Sequence, residues 1–340
     1  MIIPLKNKEV SVSVDLKGGA IVDFHLHGNE VNPLTFKFAL DQMPANNKGV
    51  AGYQGHFACI GRWGLPSEGE IKAGHPNHGQ AAISQWKDLG HTESGLTMQV
   101  DTTLDGLRTT RVLKLSDNAA AFEVTETVKN VTHTGRFFNV VQHPTLAAPF
   151  LDARTRVDSS ATFGINFNFD KAPLEFASEW PEGLCENGDR INLNTPDITC
   201  SSVFSFIVDK EATHGWVTAY SPASNLLIGY VWKREDYQFI SLWQQFTGEE
   251  ITYRGIEFGT TGIHKPFHEI IENDNTRLFG EKTLWHIDAG EEISRSYAAF
   301  LIQPGTGFAG VEAISVKNGN ISVKPIQGEL IELETGFKTI

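Results

Sequence analysis

The chain has 340 residues, 40% of them hydrophobic and 20% charged, which is ordinary for a globular protein with a sizeable core. Its 28 basic and 41 acidic residues give a formal charge of −13, and no run of Lys or Arg offsets it. This charge argues against nucleic-acid and anionic-membrane partners, and no apolar stretch reaches the roughly 20 residues that a membrane helix needs.

Alternating apolar and polar residues predict β-strands along most of the chain. In AAFEVTETVKNV, for example, Phe122, Val124 and Val128 share one face, while Glu123 and Thr125 share the other. Strands are predicted at residues 108–115, 120–131, 215–220, 226–232, 237–246, 294–302 and 320–326. Together with 32 Gly and 14 Pro, these strands indicate the all-β class and a large antiparallel β-sandwich.

Longer-range features predict one domain that spans residues 1–340. No fixed-period repeat is visible, and no linker rich in Pro, Gly or Ser divides the chain. Residues 152–199 are less regular but contain Trp180 and several Phe, so we interpret them as an elaboration of the same domain. Long amphipathic helices are absent, and one short helix is predicted around Phe308 to Ile314.

Cysteine usage and the first residues predict a cytoplasmic protein. Cys59, Cys185 and Cys200 have neither metal nor redox spacing, and a sparse, odd count fits a reducing compartment. The start, MIIPLKNKEVSVSV, lacks the basic region and the long apolar core of a signal peptide.

Three stretches place reactive side chains at strand ends or in loops. In EITYRGIEFGTTG, glycines leave space beside Glu257, and a partly desolvated carboxylate would have a raised pKa suited to a general base. Considered alone, Glu257 would more commonly cap a strand or pair with Arg254. In VVQHPTLAAPF, Pro144 keeps His143 extended, so its ring faces either the core or a cleft.

The third stretch, GRWGLPSEGEIKAGHPNHGQAAISQW, contains His78 in a Pro-Asn-His-Gly turn. Its imidazole can point into a cleft, although an exposed loop His without a role is commoner. His75 and His78 also suggest a metal site, but zinc needs three or four ligands and nothing fixes a third. We therefore predict no metal.

Aromatic and amide side chains near these stretches indicate a sugar site. Trp86 and Trp243 lie close in sequence to the reactive stretches, as do Gln142 and Gln245. Indole faces pack against the C–H faces of a pyranose, and its hydroxyls need paired donors and acceptors. Most aromatic residues at strand spacing belong to the core, so the indication depends on the neighbouring polar residues.

The order of these motifs resembles the galactose mutarotase-like superfamily, which contains aldose 1-epimerases and hexose-6-phosphate epimerases. GGAIVDFHLHGNEVNPL is similar to its opening, GRWG to the segment with a substrate-binding Arg, and PNHGQAAISQW to its His-Gly segment followed by Trp. VVQHPTLAAPF resembles its Asn-His-Pro segment, and LWQQF followed by GIEFGTT resembles its late strand pair. The resemblance covers roughly Gly18 to Ile302 and implies the superfamily's β-sandwich.

The resemblance also implies an aldose 1-epimerase activity. The general base would be Glu257, the general acid His143, and the substrate-binding residues Arg62 and His78, with predicted sugar contacts from Trp86, Gln142, Trp243 and Gln245. A carboxylate takes the proton of the anomeric hydroxyl, an imidazolium protonates the ring oxygen, and the opened sugar closes as the other anomer. The Glu257 carboxylate is expected to raise the pKa of His143. The mechanism requires no cofactor, the implied partner is a monosaccharide or sugar derivative, and no oligomeric state is indicated.

Two departures from the superfamily pattern leave alternatives open. Its Tyr-Asp-His segment has no clear copy, and Thr145 to Ala148 replace Tyr-Phe-Asn-Leu after the His. A non-catalytic sugar-binding protein is one alternative, and a lyase or hydrolase that acts on a larger saccharide is another. A phosphorylated sugar is also open, because Arg62, Lys72 and Arg108 could form a phosphate pocket.

Overall fold

The computed structural model describes residues 1–167 and 177–340, which are mainly β-strands. The strands before residue 168 are β1 (Ile2–Lys6), β2 (Val10–Asp15), β3 (Ala20–Leu26), β4 (His56–Ile60), β5 (Lys87–His91), β6 (Gly95–Thr102), β7 (Leu107–Leu115), β8 (Ala121–Asn130), β9 (Arg136–Phe138), β10 (Val140–Ala147), β11 (Arg156–Ser159) and β12 (Ala161–Asn166). The strands after residue 176 are β13 (Ser178–Glu179), β14 (Glu182–Leu184), β15 (Arg190–Asn192), β16 (Val203–Val208), β17 (His214–Ser221), β18 (Leu226–Lys233), β19 (Phe239–Thr247), β20 (Glu250–Gly259), β21 (Arg277–Leu278), β22 (Glu281–Lys282), β23 (Trp285–Ile287), β24 (Glu292–Ile302), β25 (Val311–Lys317), β26 (Asn320–Pro325) and β27 (Ile331–Leu333).

Helices are short in the part of the chain that the structure describes. They are α1 (Glu68–Lys72), α2 (Phe267–Glu272) and two 3-10 turns at Leu40–Gln42 and Ala81–Ile83. None of these helices has the length and apolar character required to cross a membrane.

Two large antiparallel sheets pack against each other, as the alternating sequence pattern predicts. One has ten strands in the order β1-β2-β3-β4-β10-β20-β19-β16-β12-β13, and the other has eight in the order β11-β17-β18-β24-β8-β7-β6-β5. The main hydrophobic core lies between them. Phe24 meets Phe122 across this interface at 4.9 Å between ring centroids, and Trp232 stacks on Phe258 at 4.2 Å. The predicted all-β sandwich is confirmed.

A third layer of three strands, β25-β26-β27, covers part of the eight-stranded sheet. Its own small core joins Ile321 and Val323 to Leu227 and Phe300 of that sheet. The helix predicted around Phe308 to Ile314 is wrong, because β25 begins there. A register shift in its pairing with β26 puts Val311 and the residue three positions later on the buried side, which imitates helical spacing.

Candidate active site

One face of the ten-stranded sheet carries the candidate site, on the side away from the main core. Residues paired directly across antiparallel strands share a face. Phe57 of β4 pairs with His143 of β10, and Ser241 of β19 pairs with Glu257 of β20. Because successive residues of a strand point to opposite faces, Gln142 points into the core while His143 points out of it.

A cavity of about 350 Å³ lies above this face, within the roughly 300 to 1,000 Å³ of small-molecule sites. Seven aromatic side chains form much of its wall, namely Phe36, Phe38, Tyr53, Phe57, Trp63, Phe167 and Trp243. The polar residues that line it are Gln42, Asn77, His78, His143, Glu257 and His264. The described lining thus combines flat apolar surfaces with a few polar groups, as a sugar site requires.

The floor of the cavity is a direct contact between the two predicted catalytic residues. His143 Nε2 lies 3.3 Å from Glu257 Oε1, with exposed side-chain fractions of 8% and 1%. Trp63 Nε1 donates to Glu257 Oε2 at 2.9 Å, which fixes the carboxyl group from its other side. A Cβ on Gly255 would come within 2.9 Å of Glu257 Oε1, so this glycine leaves the space that the carboxyl group occupies.

The tautomer of His143 follows from its second hydrogen bond. Thr145 Oγ1 can donate to the carbonyl oxygen of His143 at 3.3 Å while it accepts from Nδ1–H at 2.9 Å, and on this basis we assign the ring proton to Nδ1. In the neutral ring Nε2 then has no proton and faces Glu257. The ring also stacks on Phe57 at 4.3 Å between centroids, which holds its plane.

Burial controls the charges of this pair. Desolvation raises the pKa of Glu257 well above its usual range, although the Trp63 hydrogen bond opposes the shift. Desolvation lowers the pKa of His143 to about 3. The expectation that Glu257 raises the pKa of His143 is therefore wrong, because burial outweighs pairing. Both neutral forms are favoured, so a protonated Glu257 carboxyl group lies beside a neutral His143 ring.

Two further histidines line the cavity. His78 occupies the predicted turn with a left-handed φ of 60°, and its Nδ1 accepts from the backbone N–H of Gly64 at 3.3 Å. Its neutral ring therefore carries the remaining proton on Nε2 as a donor. His264, which the sequence interpretation missed, lies 5.4 Å from the ring of His78 and edge-on to Trp63 at 4.9 Å. Its position seven residues after Glu257, just beyond the end of β20, was the available signal.

Two of the predicted sugar-binding residues belong to the interior. Gln142 is fully buried and links His56 to Glu126, with distances of 3.1 and 2.6 Å. Trp86 donates from Nε1 to the carbonyl oxygen of Ala81 at 3.0 Å. Their side chains do not line the cavity, so we correct their assignment from sugar contact to internal contact.

Arg62 and Gln245 also lie outside the lining of the cavity. Arg62 forms a two-point ion pair with Glu70, one of whose contacts is 3.0 Å, and its guanidinium lies 5.1 Å from the ring of Phe267. Gln245 follows Trp243 by two positions on β19, but of the two only Trp243 lines the cavity. His78 and Trp243 are therefore the predicted sugar-binding residues, apart from the catalytic pair, that line the cavity.

The positions of the described residues support neither the phosphate nor the metal interpretation. Arg108 pairs with Asp101 on the eight-stranded sheet, and the described lining of the cavity includes neither Lys nor Arg. His75 Nδ1 lies 3.6 Å from Asp105 Oδ1. Within residues 1–167 and 177–340, no three His, Cys, Asp or Glu side chains are grouped to hold a metal ion.

Thermal stability is expected to fall as the pH is lowered from about 7.5 to 5.5. Desolvation lowers the pKa of His56, His78, His143 and His264, so below about 6.5 the unfolded chain binds more protons than the folded chain. Each such group costs about 1.4 kcal/mol per pH unit. Glu257 has a raised pKa and opposes this trend, but the four histidines outnumber it. Calorimetric Tm values that stay constant or rise on acidification would contradict this balance, and His78→Gln should flatten the decline.

Comparisons with known proteins identify similar structures but no similar sequences. No family model matches the sequence, and no curated protein matches it. A galactose mutarotase related enzyme from Lactobacillus acidophilus is similar at 14% identity, with 89% of this chain and 97% of that chain covered and a TM-score of 0.64. A galactose mutarotase-like protein from Lactobacillus casei has 12% identity, coverage of 89% and 100%, and a TM-score of 0.59. A candidate aldose 1-epimerase from Escherichia coli K12 has 14% identity, coverage of 89% and 99%, and a TM-score of 0.58.

Proposed function

Because the chain has the galactose mutarotase-like fold, we propose that it is a carbohydrate-active isomerase that interconverts the anomers of an aldose. The observation that carries this proposal is the 3.3 Å contact between His143 Nε2 and Glu257 Oε1 on the floor of an aromatic cavity. One residue of the pair can take a proton and the other can give one. Their separation suits the two oxygens that are bonded to one anomeric carbon.

The proton held by Glu257 supplies both states that the reaction needs. Its transfer from Glu257 Oε1 to His143 Nε2 gives a carboxylate and an imidazolium. The carboxylate takes the proton of the anomeric hydroxyl, the imidazolium protonates the ring oxygen, and the ring C–O bond breaks as the carbonyl forms. Rotation about C1–C2 turns the aldehyde over, and the reverse transfers close the other anomer. No net proton enters or leaves.

The remaining lining groups suit a bound pyranose. Trp243 lies beside His143, with 6.2 Å between ring centroids, and its indole ring can pack against sugar C–H groups. Phe57 is stacked between Tyr53 and His143, so it supports the imidazole and does not contact the sugar through a ring face. His78 offers a proton on Nε2 to a hydroxyl oxygen, since its Nδ1 already accepts from Gly64. His264 and Asn77 add further polar groups on the same wall. Binding of this kind requires neither a charged sugar nor a cofactor.

The proposal is tested by saturation-transfer NMR of anomer exchange over a panel of free and phosphorylated aldoses. Catalysed exchange of at least one unphosphorylated aldose is the expected result. Saturable calorimetric binding of a sugar without any acceleration would overturn the isomerase assignment and indicate a sugar-binding protein. A shortened saccharide product would indicate a lyase or hydrolase instead.

Replacing Thr145 with Val is expected to lower the exchange rate by about tenfold and to change its pH profile. The Val side chain has nearly the same shape but cannot accept from Nδ1–H of His143, so the tautomer is no longer fixed. Thr145→Ser keeps the hydroxyl and should restore both the rate and the profile. A Val variant with an unchanged rate and profile would show that Thr145 has only a packing role.

A further inference from the structure

A groove of about 1000 Å³ lies beside the cavity, along α1 and the start of α2. The two spaces share the side chains of Phe167 and His264, so they adjoin at a common wall. The cavity alone, at about 350 Å³, has the size of a small ligand site, whereas the groove is at the upper end of that range. The volume of the groove is additional to the space that a single sugar above His143 and Glu257 would occupy.

The lining of this groove combines apolar and polar side chains. Leu65 and Ile71 are 51% and 43% exposed, and Phe267 adds an aromatic ring to the same lining. The charged and hydrogen-bonding side chains of the lining include Glu68, Lys265, His268 and Glu269. This mixture matches a pyranose, whose C–H faces are apolar and whose edge carries hydroxyls.

The Glu70 carboxylate under the groove already has partners for both of its oxygens. Both carboxylate oxygens of Glu70 contact Arg62, and one of them also accepts from the backbone N–H of Ser67 at 2.8 Å. Burial acts to raise the pKa of Glu70, but the Arg62 hydrogen bonds lower it to about 2. Since the guanidinium is neutralised by a fixed carboxylate, it does not attract an anion. In the described lining the carboxylates of Glu68 and Glu269 also outnumber the ammonium group of Lys265, so the occupant is expected to carry no negative charge.

We propose that this groove is a second sugar subsite, which holds the non-reducing unit of a disaccharide whose reducing unit occupies the cavity. The proposal rests on the proposed function, because that function puts the free anomeric hydroxyl at Glu257. The second unit must then be joined to the first through another hydroxyl. The link between the two units must pass beside Phe167 and His264, which line both spaces.

Isothermal titration calorimetry tests the subsite with glucose and with four disaccharides whose reducing unit is glucose: lactose, maltose, cellobiose and melibiose. At least one disaccharide should bind the wild-type protein tenfold or more tightly than glucose. Ile71→Arg, on the exposed side of α1, should abolish this advantage and leave the affinity for glucose unchanged. Ile271→Arg is the matched control, because Ile271 is 47% exposed on α2 but lies outside the groove.

Each outcome separates the subsite from the reaction. If no disaccharide binds more tightly than glucose, or if both Arg variants lose affinity equally, the subsite is overturned even where anomer exchange is catalysed. If a disaccharide binds more tightly and Ile71→Arg removes this gain without any exchange of free sugars, the subsite stands and the isomerase assignment fails.

Discussion

Replacing Glu257 with Gln is expected to lower the rate of anomer exchange by about 10² to 10⁴-fold, because an amide can neither take nor return the proton of the anomeric hydroxyl. The amide keeps the size of the carboxyl group, and its oxygen can still accept from Trp63 Nε1. Folding and sugar binding should therefore persist. The rate is measured by saturation-transfer NMR, and binding is measured by calorimetry on the same preparation.

The same chemical change elsewhere on β20 provides the control. Glu250→Gln removes an exposed carboxylate at the start of that strand, away from the cavity, and should leave exchange unchanged. Turnover retained by Glu257→Gln would remove Glu257 as the base and with it the proposed mechanism. A variant that no longer binds sugar would place Glu257 in recognition instead.

Replacing Arg111 with Met should destabilise the protein by about 3 to 5 kcal/mol. Arg111 Nε donates to Glu126 Oε1 at 2.7 Å, and both side chains are buried between the sheets. The guanidinium also donates to the carbonyl oxygen of Gly19 and lies 5.0 Å from the ring of Trp86. Met fills part of the volume but leaves the Glu126 carboxylate without its counterion. The free energy of unfolding is measured by urea denaturation at neutral pH.

Arg108, three residues earlier on β7, provides the matched control for Arg111→Met. It forms an ion pair with Asp101 on the surface, so Arg108→Met should change the unfolding free energy little. Equal losses in the two variants would show that removing any arginine from this strand is costly. No loss in Arg111→Met would mean that the interior tolerates a Glu126 carboxylate that keeps the Gln142 amide as a partner but has lost its ion pair with Arg111.

Alternation along single strands predicted much of the fold because it is a local property. Short apolar runs joined by turn residues are equally local: residues 215–220 and 226–232 are mainly apolar, and they form the hairpin β17–β18. Alternation would also have excluded Gln142, which is adjacent to His143 and must therefore point to the opposite face. The order of the motifs singled out His143 and Glu257, which lie in contact on neighbouring strands of one sheet although they are far apart in the chain.

Loop packing accounts for what the sequence did not predict. Arg62 is engaged by Glu70 because Ser67 and Glu70 form a capping box that fixes α1 beside it. The hydrogen bond from Trp63 to Glu257 joins residues 194 positions apart, and no local sequence pattern predicts such a contact. His264 lies in a loop whose direction depends on how that loop packs against Trp63.

The hydrogen bond between Trp63 and Glu257 also has an optical consequence. An indole that donates to a carboxyl group experiences a different electric field when that group loses its proton, and its emission shifts accordingly. The chain contains seven tryptophans, so the difference between wild type and Trp63→Phe isolates the signal of this one. The protein thus carries its own reporter of the charge on Glu257, which can follow proton movement during sugar binding without any label.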